Sequence, residues 1–197
     1  MKVFVYDNDL ILTNYIIALE NIGIIPILSK DVSKLDSSDA LLLTGGGDIY
    51  PTFYGETATE YNNYDYLTDI SEFYLLKRAL YSKKRIVGIC KGMQVINVFF
   101  NGTIENLNSP NIKNHYTFSK DLYHEIITKD GNKFLVNSMH KQRIRALGKN
   151  LTVLASSNDG TIEAIKSDKY NLLGVQFHPE RMNANSSLKF YEYAFNN

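Results

Sequence analysis

The sequence predicts an α/β fold in which a mostly parallel central sheet carries helices on both faces, giving three layers. Short, wholly apolar runs alternate along the chain with segments whose apolar residues recur at every third or fourth position. Strands buried on both faces have such continuous apolar runs, and helices join them in parallel sheets. The chain has 197 residues with no repeat or linker, which predicts one domain over residues 1–197.

The predicted elements follow one another in this alternating order. Strands are expected at residues 2–6, 24–28, 40–43, 85–89, 124–128, 133–136, 152–156, 161–166 and 172–177. Helices are expected at residues 11–22, 68–81, 92–100 and 186–195. Gly23 should end the first helix, and Thr68 should cap the second. Residues 51–66 and 106–123 lack a clear period, which predicts surface loops, the second with some strand.

The bulk composition excludes several classes of protein. Basic and acidic residues number 21 each, and the resulting net charge of zero argues against a broad nucleic-acid-binding surface. We find no basic segment followed by an apolar leader, and no apolar run approaching about 20 residues, so neither secretion nor membrane insertion is expected. The single cysteine excludes an internal disulfide and suits a reducing compartment such as the cytoplasm.

That cysteine, Cys90, lies in the run Gly88-Ile89-Cys90-Lys91-Gly92, between a predicted strand and a predicted helix. This is the spacing of a nucleophile elbow, in which glycines relieve crowding around a strained turn. The helix N-terminus favours a thiolate, and the Lys91 N–H can face a developing oxyanion. A lone cysteine is equally often a packing residue, but the strand, the two glycines and the helix favour a nucleophile.

A second glycine turn, Gly45-Gly46-Gly47, follows the apolar strand at residues 40–43. Successive glycines allow the backbone to approach a ligand closely and present N–H groups to an anion. Alone, this turn predicts only flexibility. Beside a nucleophile elbow, it predicts a second oxyanion donor.

The segment His178-Pro179-Glu180 ends the last apolar strand. Proline favours an extended conformation at His178, and residues two apart in extended chain point to the same side. Glu180 can therefore orient the imidazole, which can exchange a proton with Cys90. The alternative is a surface histidine. The carboxyl end of a strand, where Cys90 also lies, favours the catalytic role.

No pattern for a cofactor or a metal is evident. The glycine turn lacks the ending of a phosphate loop, and His115, His124 and His140 show no metal-ligand spacing. A single cysteine also removes the common zinc patterns. We therefore expect neither a cofactor nor a metal, with His115 and His124 as surface or structural residues and His140 lining the pocket.

Three segments together resemble the class I glutamine amidotransferase superfamily, whose fold is flavodoxin-like: LLLTGGGDIYP, GICKGMQVIN and GVQFHPE. Within it, GGGDIYP, VNSMHKQ and the pairs Asp159-Gly160 and Glu163-Ala164 resemble the γ-glutamyl hydrolase branch, peptidase C26, which includes γ-glutamyl-γ-aminobutyrate hydrolases. The resemblance spans most of the chain. Lys91 departs from the arginine frequent in this branch, and the chain is shorter than many of its hydrolases.

The resemblance implies a role for each matching residue. Cys90 would form a γ-glutamyl thioester, His178 would act as general base and acid, and Glu180 would orient His178. Backbone N–H groups near Gly46 or Gly47 and at Lys91 would hold the oxyanion. The remaining implied residues are Gln94, which would bind the glutamyl group, and Ser138 and His140, which would face the substrate.

Three functions are compatible with these residues. The leading one is a stand-alone hydrolase of a small γ-glutamyl compound, either a γ-glutamylated amine or a γ-glutamyl nucleotide phosphoramidate of capsule biosynthesis, with residues 51–66 and 107–123 as walls for the leaving group. The second is a glutaminase subunit that delivers ammonia to a separate synthetase partner. The third is a non-catalytic binding module. The sequence is also compatible with a homodimer.

Overall fold

The structure is a computed structural model that describes residues 1–60, 62–108 and 111–196. Its strands are β1 (Lys2–Tyr6), β2 (Ile25–Ser29), β3 (Ala40–Leu43), β4 (Arg85–Ile89), β5 (Thr103–Asn106), β6 (Leu122–Thr128), β7 (Lys133–Ser138), β8 (Gln142–Ala146), β9 (Thr152–Ser157), β10 (Ile162–Ser167) and β11 (Leu172–Val175). Its α-helices are α1 (Thr13–Glu20), α2 (Tyr66–Tyr81), α3 (Lys91–Phe99), α4 (Ile112–His115) and α5 (Ala184–Asn196).

Nine strands form one sheet in the order β2-β1-β3-β4-β11-β10-β9-β6-β7. The strands from β2 to β11 are parallel, whereas β10, β9, β6 and β7 continue the sheet with antiparallel pairing. The predicted α/β class with a large central sheet is confirmed. The antiparallel half was not predicted, because a short apolar run does not reveal the direction of its neighbour.

Helices cover both faces of the parallel half, as predicted. Along β1, Val3 and Val5 point into one core with α1 and α5, while Phe4 points into the opposite core with α2 and α3. This alternation follows from the period of two in a strand. Because both faces are buried, these strands are apolar along their whole length.

The ends of several elements differ from the sequence prediction. Helix α2 begins at Tyr66, and its cap is Asp65 rather than Thr68: the Asp65 carboxylate accepts hydrogen bonds from the backbone N–H groups of Leu67 and Thr68. The stretch 106–123, predicted as loop with some strand, also contains the short helix α4. Strands β5 and β8 form a separate two-stranded sheet that periodicity did not indicate. Tyr61, Ser109 and Pro110, which fall in the two predicted loops, lie outside the described residues.

A buried group of charges joins α3 to α2. The Lys91 ammonium lies 2.8 Å from Asp69 Oδ1 and 2.7 Å from Glu72 Oε2, and all three side chains are almost completely buried. Burial alone would lower the pKa of Lys91, but Glu72 and Asp69 raise it above its ordinary value, so the ammonium stays charged. The other oxygen of Asp69 accepts the Tyr50 N–H at 2.8 Å, which extends this support to the loop after β3.

None of the helices in the described part of the chain is long and apolar enough to span a membrane.

The buried charges predict a large effect of removing the cation. Lys91→Met leaves Asp69 and Glu72 without their partner, and we expect it to lower the free energy of unfolding by about 3–5 kcal/mol, because an uncompensated buried charge is costly. The measurement is chemical denaturation followed by circular dichroism. Lys77→Met is the matched control, because it changes an exposed lysine of α2, the helix that carries Asp69 and Glu72. It should change stability by less than about 0.5 kcal/mol. Equal denaturation midpoints for the two variants would contradict the expected effect.

Candidate active site

Cys90 occupies the strained turn that its neighbours predict. It lies between β4 and α3 with φ of 51° and ψ of −104°, a backbone conformation that non-glycine residues rarely adopt. A Cβ atom on Gly92 would lie 2.2 Å from the Leu43 carbonyl oxygen, and one on Gly88 would lie 2.6 Å from Ile96 Cδ1. Both glycines are therefore required for the close packing of the turn. Since Cys90 is the N-cap of α3, the Lys91 N–H is among the helical N–H groups that have no partner within the helix.

His178 and Glu180 lie together, with His178 Nδ1 2.7 Å from Glu180 Oε1. His178 has φ of −110° and ψ of 82°, but the chain does not stay extended, because Pro179–Arg181 forms a 3-10 helix. The predicted contact is confirmed, although a tight turn rather than an extended chain produces it. Asn137 holds the backbone of His178 through two hydrogen bonds, donating to its carbonyl at 2.9 Å and accepting from its N–H at 3.0 Å.

The electrostatic environment favours a protonated His178. Burial lowers the pKa of this imidazole, but the charge and hydrogen bond of Cys90, together with Glu180, outweigh burial and raise the pKa to about 10. The imidazole thus interacts with Cys90 and is hydrogen-bonded to the Glu180 carboxylate. A buried imidazole held in this way can keep its proton at neutral pH.

The glycine turn packs directly against this pair. A Cβ atom on Gly45 would lie 2.9 Å from His178 Cε1 and 2.8 Å from the Tyr15 hydroxyl oxygen, which accepts the Gly45 N–H at 3.0 Å. A Cβ atom on Gly46 would lie 2.8 Å from Lys91 Cδ. The turn after β3 therefore lies opposite the elbow, as the sequence predicts.

A cavity of about 690 Å³ opens beside Cys90. The predicted residues in its lining are Gly46, Gly47, Lys91, Gln94 and His140. Both predicted walls contribute to it, one through residues such as Tyr54 and Asn63 and the other through Leu107, Ile112 and Tyr116. The structure thus brings the nucleophile candidate and most of the predicted binding residues to one space.

Gln176 was missed by the sequence reasoning. Its side-chain N–H group points to the Cys90 sulfur at 3.5 Å, and its oxygen accepts from Gln94 Nε2 at 3.2 Å. Gln94 also donates to the Gln142 carbonyl at 3.4 Å. The only sequence signal was the position of Gln176 two residues before His178, which places both side chains near the same sheet edge.

Ser138 does not face the cavity, and its prediction as a substrate-facing residue is wrong. Its hydroxyl donates to the His115 carbonyl at 2.9 Å, and Ser138 is not among the residues that line the cavity. His140 does line the cavity, but its Nε2 lies 3.2 Å from His115 Nδ1 and its Nδ1 lies 2.9 Å from the Gln142 carbonyl. Its ring is therefore engaged by protein groups.

His115 is buried, and the side chain of His124 is 12% exposed. His115 is 1% exposed, and its ring packs on His124 and on His140 with centroids 4.6 and 4.7 Å apart. These rings surround the fully buried Glu163. The sequence shows no metal-ligand spacing among the histidines, but in space His115, His124 and Glu163 form a group that could hold a metal ion.

Comparisons with known proteins agree with the fold. The chain is 34% identical over 158 residues to the glutamine amidotransferase-like protein YvdE of Lactococcus lactis, covering 72% of this chain and 66% of that protein. It is 30% identical to the gamma-glutamyl-CDP-amidate hydrolase of Campylobacter jejuni, covering 79% of this chain and 69% of that protein. The structure of PurLQS from Thermotoga maritima superposes with a TM-score of 0.70 at 20% identity, covering 99% of this chain and 96% of that chain, which supports the fold alone.

The family model described as Peptidase C26 matches residues 5–180, which include the glycine turn, the elbow and the His-Pro-Glu segment. The chain therefore belongs to the peptidase C26 family, within the class I glutamine amidotransferase superfamily, and is a hydrolase of carbon–nitrogen bonds.

Proposed function

We propose that this hydrolase cleaves the γ-glutamyl amide bond of a small compound through a γ-glutamyl thioester on Cys90. The observation that carries the proposal is the strained Cys90, which lines one cavity with Gly46 and Gly47 and interacts with His178, whose Nδ1 lies 2.7 Å from Glu180. The name of the Campylobacter jejuni relative, gamma-glutamyl-CDP-amidate hydrolase, supports the γ-glutamyl substrate class. A reducing compartment, the cytoplasm, fits a reaction that needs a free thiolate.

In the first half-reaction, the Cys90 thiolate attacks the γ-carbonyl carbon, forming a C–S bond and moving an electron pair onto the carbonyl oxygen. Backbone N–H groups at Gly46 or Gly47 and at Lys91 hold this oxyanion. As the carbonyl re-forms, the C–N bond breaks and the leaving nitrogen takes a proton from His178. The amine departs, and glutamate remains on sulfur as a thioester.

In the second half-reaction, His178 takes a proton from water while the water oxygen attacks the thioester carbon. The C–S bond then breaks, the electron pair returns to sulfur, and glutamate leaves with the new oxygen. Glu180 keeps the imidazole oriented through its contact with Nδ1, which leaves Nε2 for the proton transfers. Thiolate and imidazolium are restored at the end of the cycle.

The pocket residues divide between the two halves of the substrate. Gln94 lines the cavity close to Cys90 and is held by Gln176, which suits it to the glutamyl group. Farther out, Tyr116 and Lys141 form part of the wall, and Lys141 Nζ lies 4.6 Å from the centre of the Tyr116 ring. An aromatic ring and a cation together suit an aromatic, anionic leaving group such as a nucleotide phosphoramidate.

The main test is an assay with free glutamine, γ-glutamylated amines and a γ-glutamyl nucleotide phosphoramidate, with products followed by mass spectrometry. We expect release of glutamate from the larger amides at a higher kcat/KM than from glutamine. A γ-glutamyl adduct on Cys90 should be trapped by rapid acid quenching. Cys90→Ala should lower kcat by at least about 10³-fold, because the thioester cannot form.

A hydrolysis rate of Cys90→Ala close to that of the unchanged protein would refute the nucleophile. Glutamine hydrolysed faster than every larger amide would instead favour the glutaminase subunit. The Lys77→Ala variant, at an exposed position, controls for general effects of mutation and purification. Its kinetics should match those of the unchanged protein.

The pKa of His178 gives an independent test. Because its pKa is raised to about 10, the imidazolium should persist at pH 8, where an ordinary histidine is neutral. Cys90→Ala removes the neighbour that raises this pKa most, so the pKa should fall. Histidine carbon NMR across a pH series measures both values, and His178→Asn assigns the resonance. An unshifted titration near pH 6.5 in the unchanged protein would contradict the thiolate–imidazolium pair.

Lys141 should select for a charged leaving group. Lys141→Ala is expected to raise KM for the nucleotide phosphoramidate about tenfold, which corresponds to about 1.4 kcal/mol, while KM for neutral γ-glutamyl amines stays within about twofold. Lys149→Ala, at an exposed position outside the cavity lining, is the matched control. An equal change in KM for both substrate types would mean that Lys141 does not recognise the leaving group.

A further inference from the structure

Three of the four histidines in the chain converge on one carboxylate oxygen. Glu163 Oε1 lies 3.1 Å from His124 Nε2, 3.6 Å from His115 Nδ1 and 3.6 Å from His140 Nε2. We refer to His115, His124, His140 and Glu163 as the histidine cluster. It lies behind the cavity wall, and the proposed hydrolysis uses none of its ligand atoms.

Hydrogen bonds outside the cluster fix which ring nitrogens carry protons. His140 Nδ1 lies 2.9 Å from the Gln142 carbonyl oxygen, which only accepts, so this nitrogen donates. His115 Nε2 lies 3.0 Å from Asp159 Oδ2 and donates to that carboxylate. The neutral forms of both rings therefore direct lone pairs, at His115 Nδ1 and His140 Nε2, toward each other across 3.2 Å.

The protein satisfies these inward-facing atoms only in part: His115 Nδ1 has the Ser138 hydroxyl at 3.4 Å and His140 Nε2 at 3.2 Å as hydrogen-bond partners. Among the described residues, neither carboxylate oxygen of Glu163 and neither ring nitrogen of His124 has a hydrogen-bond partner. Glu163 is completely buried, so water does not hydrate its charge in compensation. Electron-pair donors converging on a buried anionic group require a positive charge between them.

The geometry of the cluster is that of a zinc site. Zinc bound to nitrogen and oxygen at about 2.0–2.1 Å in a tetrahedron places neighbouring ligand atoms about 3.3 Å apart. Four of the six distances among the ligand atoms of His115, His124, His140 and Glu163 lie between 3.1 and 3.6 Å. His115, His124 and Glu163 offer ligand atoms that all lie within 4.8 Å of one another. Metal-bound histidines also donate their other ring N–H to a carboxylate or a carbonyl, as His115 and His140 do here.

We propose that the histidine cluster binds one Zn²⁺ ion through His115 Nδ1, His124 Nε2 and Glu163 Oε1, with His140 Nε2 as the fourth donor. All four positions are then filled by protein, which is the arrangement of a structural zinc site. The ion joins α4, β6, the segment after β7, and β10. Both His140 and Gln142, whose carbonyl accepts from His140 Nδ1, line the cavity. The ion therefore fixes the cavity wall beside the leaving group.

The test measures metal directly, in a Cys90→Ser background that removes the other soft ligand and any turnover. The protein is loaded with Zn²⁺ and dialysed, and its zinc content is measured by inductively coupled plasma mass spectrometry. Its affinity for Zn²⁺ is measured by competition with a chromophoric chelator. We expect one Zn²⁺ per chain, and Co²⁺ in its place should give the intense visible absorption of a four-coordinate ion. Asp159→Asn weakens only the outer hydrogen bond from His115 Nε2, and we expect it to lower the affinity about 10–100-fold. His124→Asn removes a ligand atom and should lower the affinity by more.

His178→Asn is the matched control, since it changes the one histidine outside the cluster and should leave the affinity unchanged. If the Cys90→Ser protein takes up neither Zn²⁺ nor Co²⁺, the cluster holds only protons and the proposal is wrong. It is also wrong if His124→Asn binds as tightly as its parent. Circular dichroism checks that each variant is folded, and a misfolded His124→Asn is replaced by Glu163→Gln. Because metal uptake is measured without catalysis, its failure is distinct from failure of the hydrolase proposal.

Discussion

The candidate site depends on the close contact between the start of α3 and the end of β3. The Gly92 N–H donates to the Thr44 carbonyl at 3.1 Å, in a space that has no room for a side chain at residue 92. This contact holds the strained Cys90 turn immediately beside the glycine turn, which begins at the next residue after Thr44. The proposed nucleophile and the proposed oxyanion donors are therefore positioned by one backbone interaction rather than by two separate loops.

A layer of buried polar residues supports this contact from behind. On one side, Lys91 binds two carboxylates of α2, and on the other, Gln176 connects Cys90 to Gln94. Asn137 fixes the His178 backbone from β7, so the imidazole is held by a strand of the antiparallel half. Each of these side chains is satisfied by partners from another element, and a change in one element is therefore transmitted to the geometry at Cys90.

The parts of the site that sequence could predict are those encoded by neighbouring residues. The glycines at 88 and 92 and the three-glycine turn indicate their local geometry within a few positions. The His-Pro-Glu segment indicates the contact of His178 with Glu180, but not the 3-10 turn that produces it. Gln176, Asn137 and the histidine cluster depend on contacts between residues far apart in the chain, which spacing does not reveal. The cap of α2 was misplaced because Asp65 and Thr68 are both good capping residues, and only the structure distinguishes them. The antiparallel strands were recognised as strands, but their direction is set by pairing rather than by composition.

The division of the sheet has a consequence for how this family diversifies. Cys90, His178 and the glycine turn follow parallel strands in the middle of the sheet, whereas much of the outer cavity wall comes from connecting segments around Tyr54 and Tyr116. Connecting segments accept substitution and insertion more readily than packed strands. The segments that form the outer cavity wall can therefore change between relatives while the Cys90 turn stays the same. Relatives with one site geometry can in this way accept different small molecules.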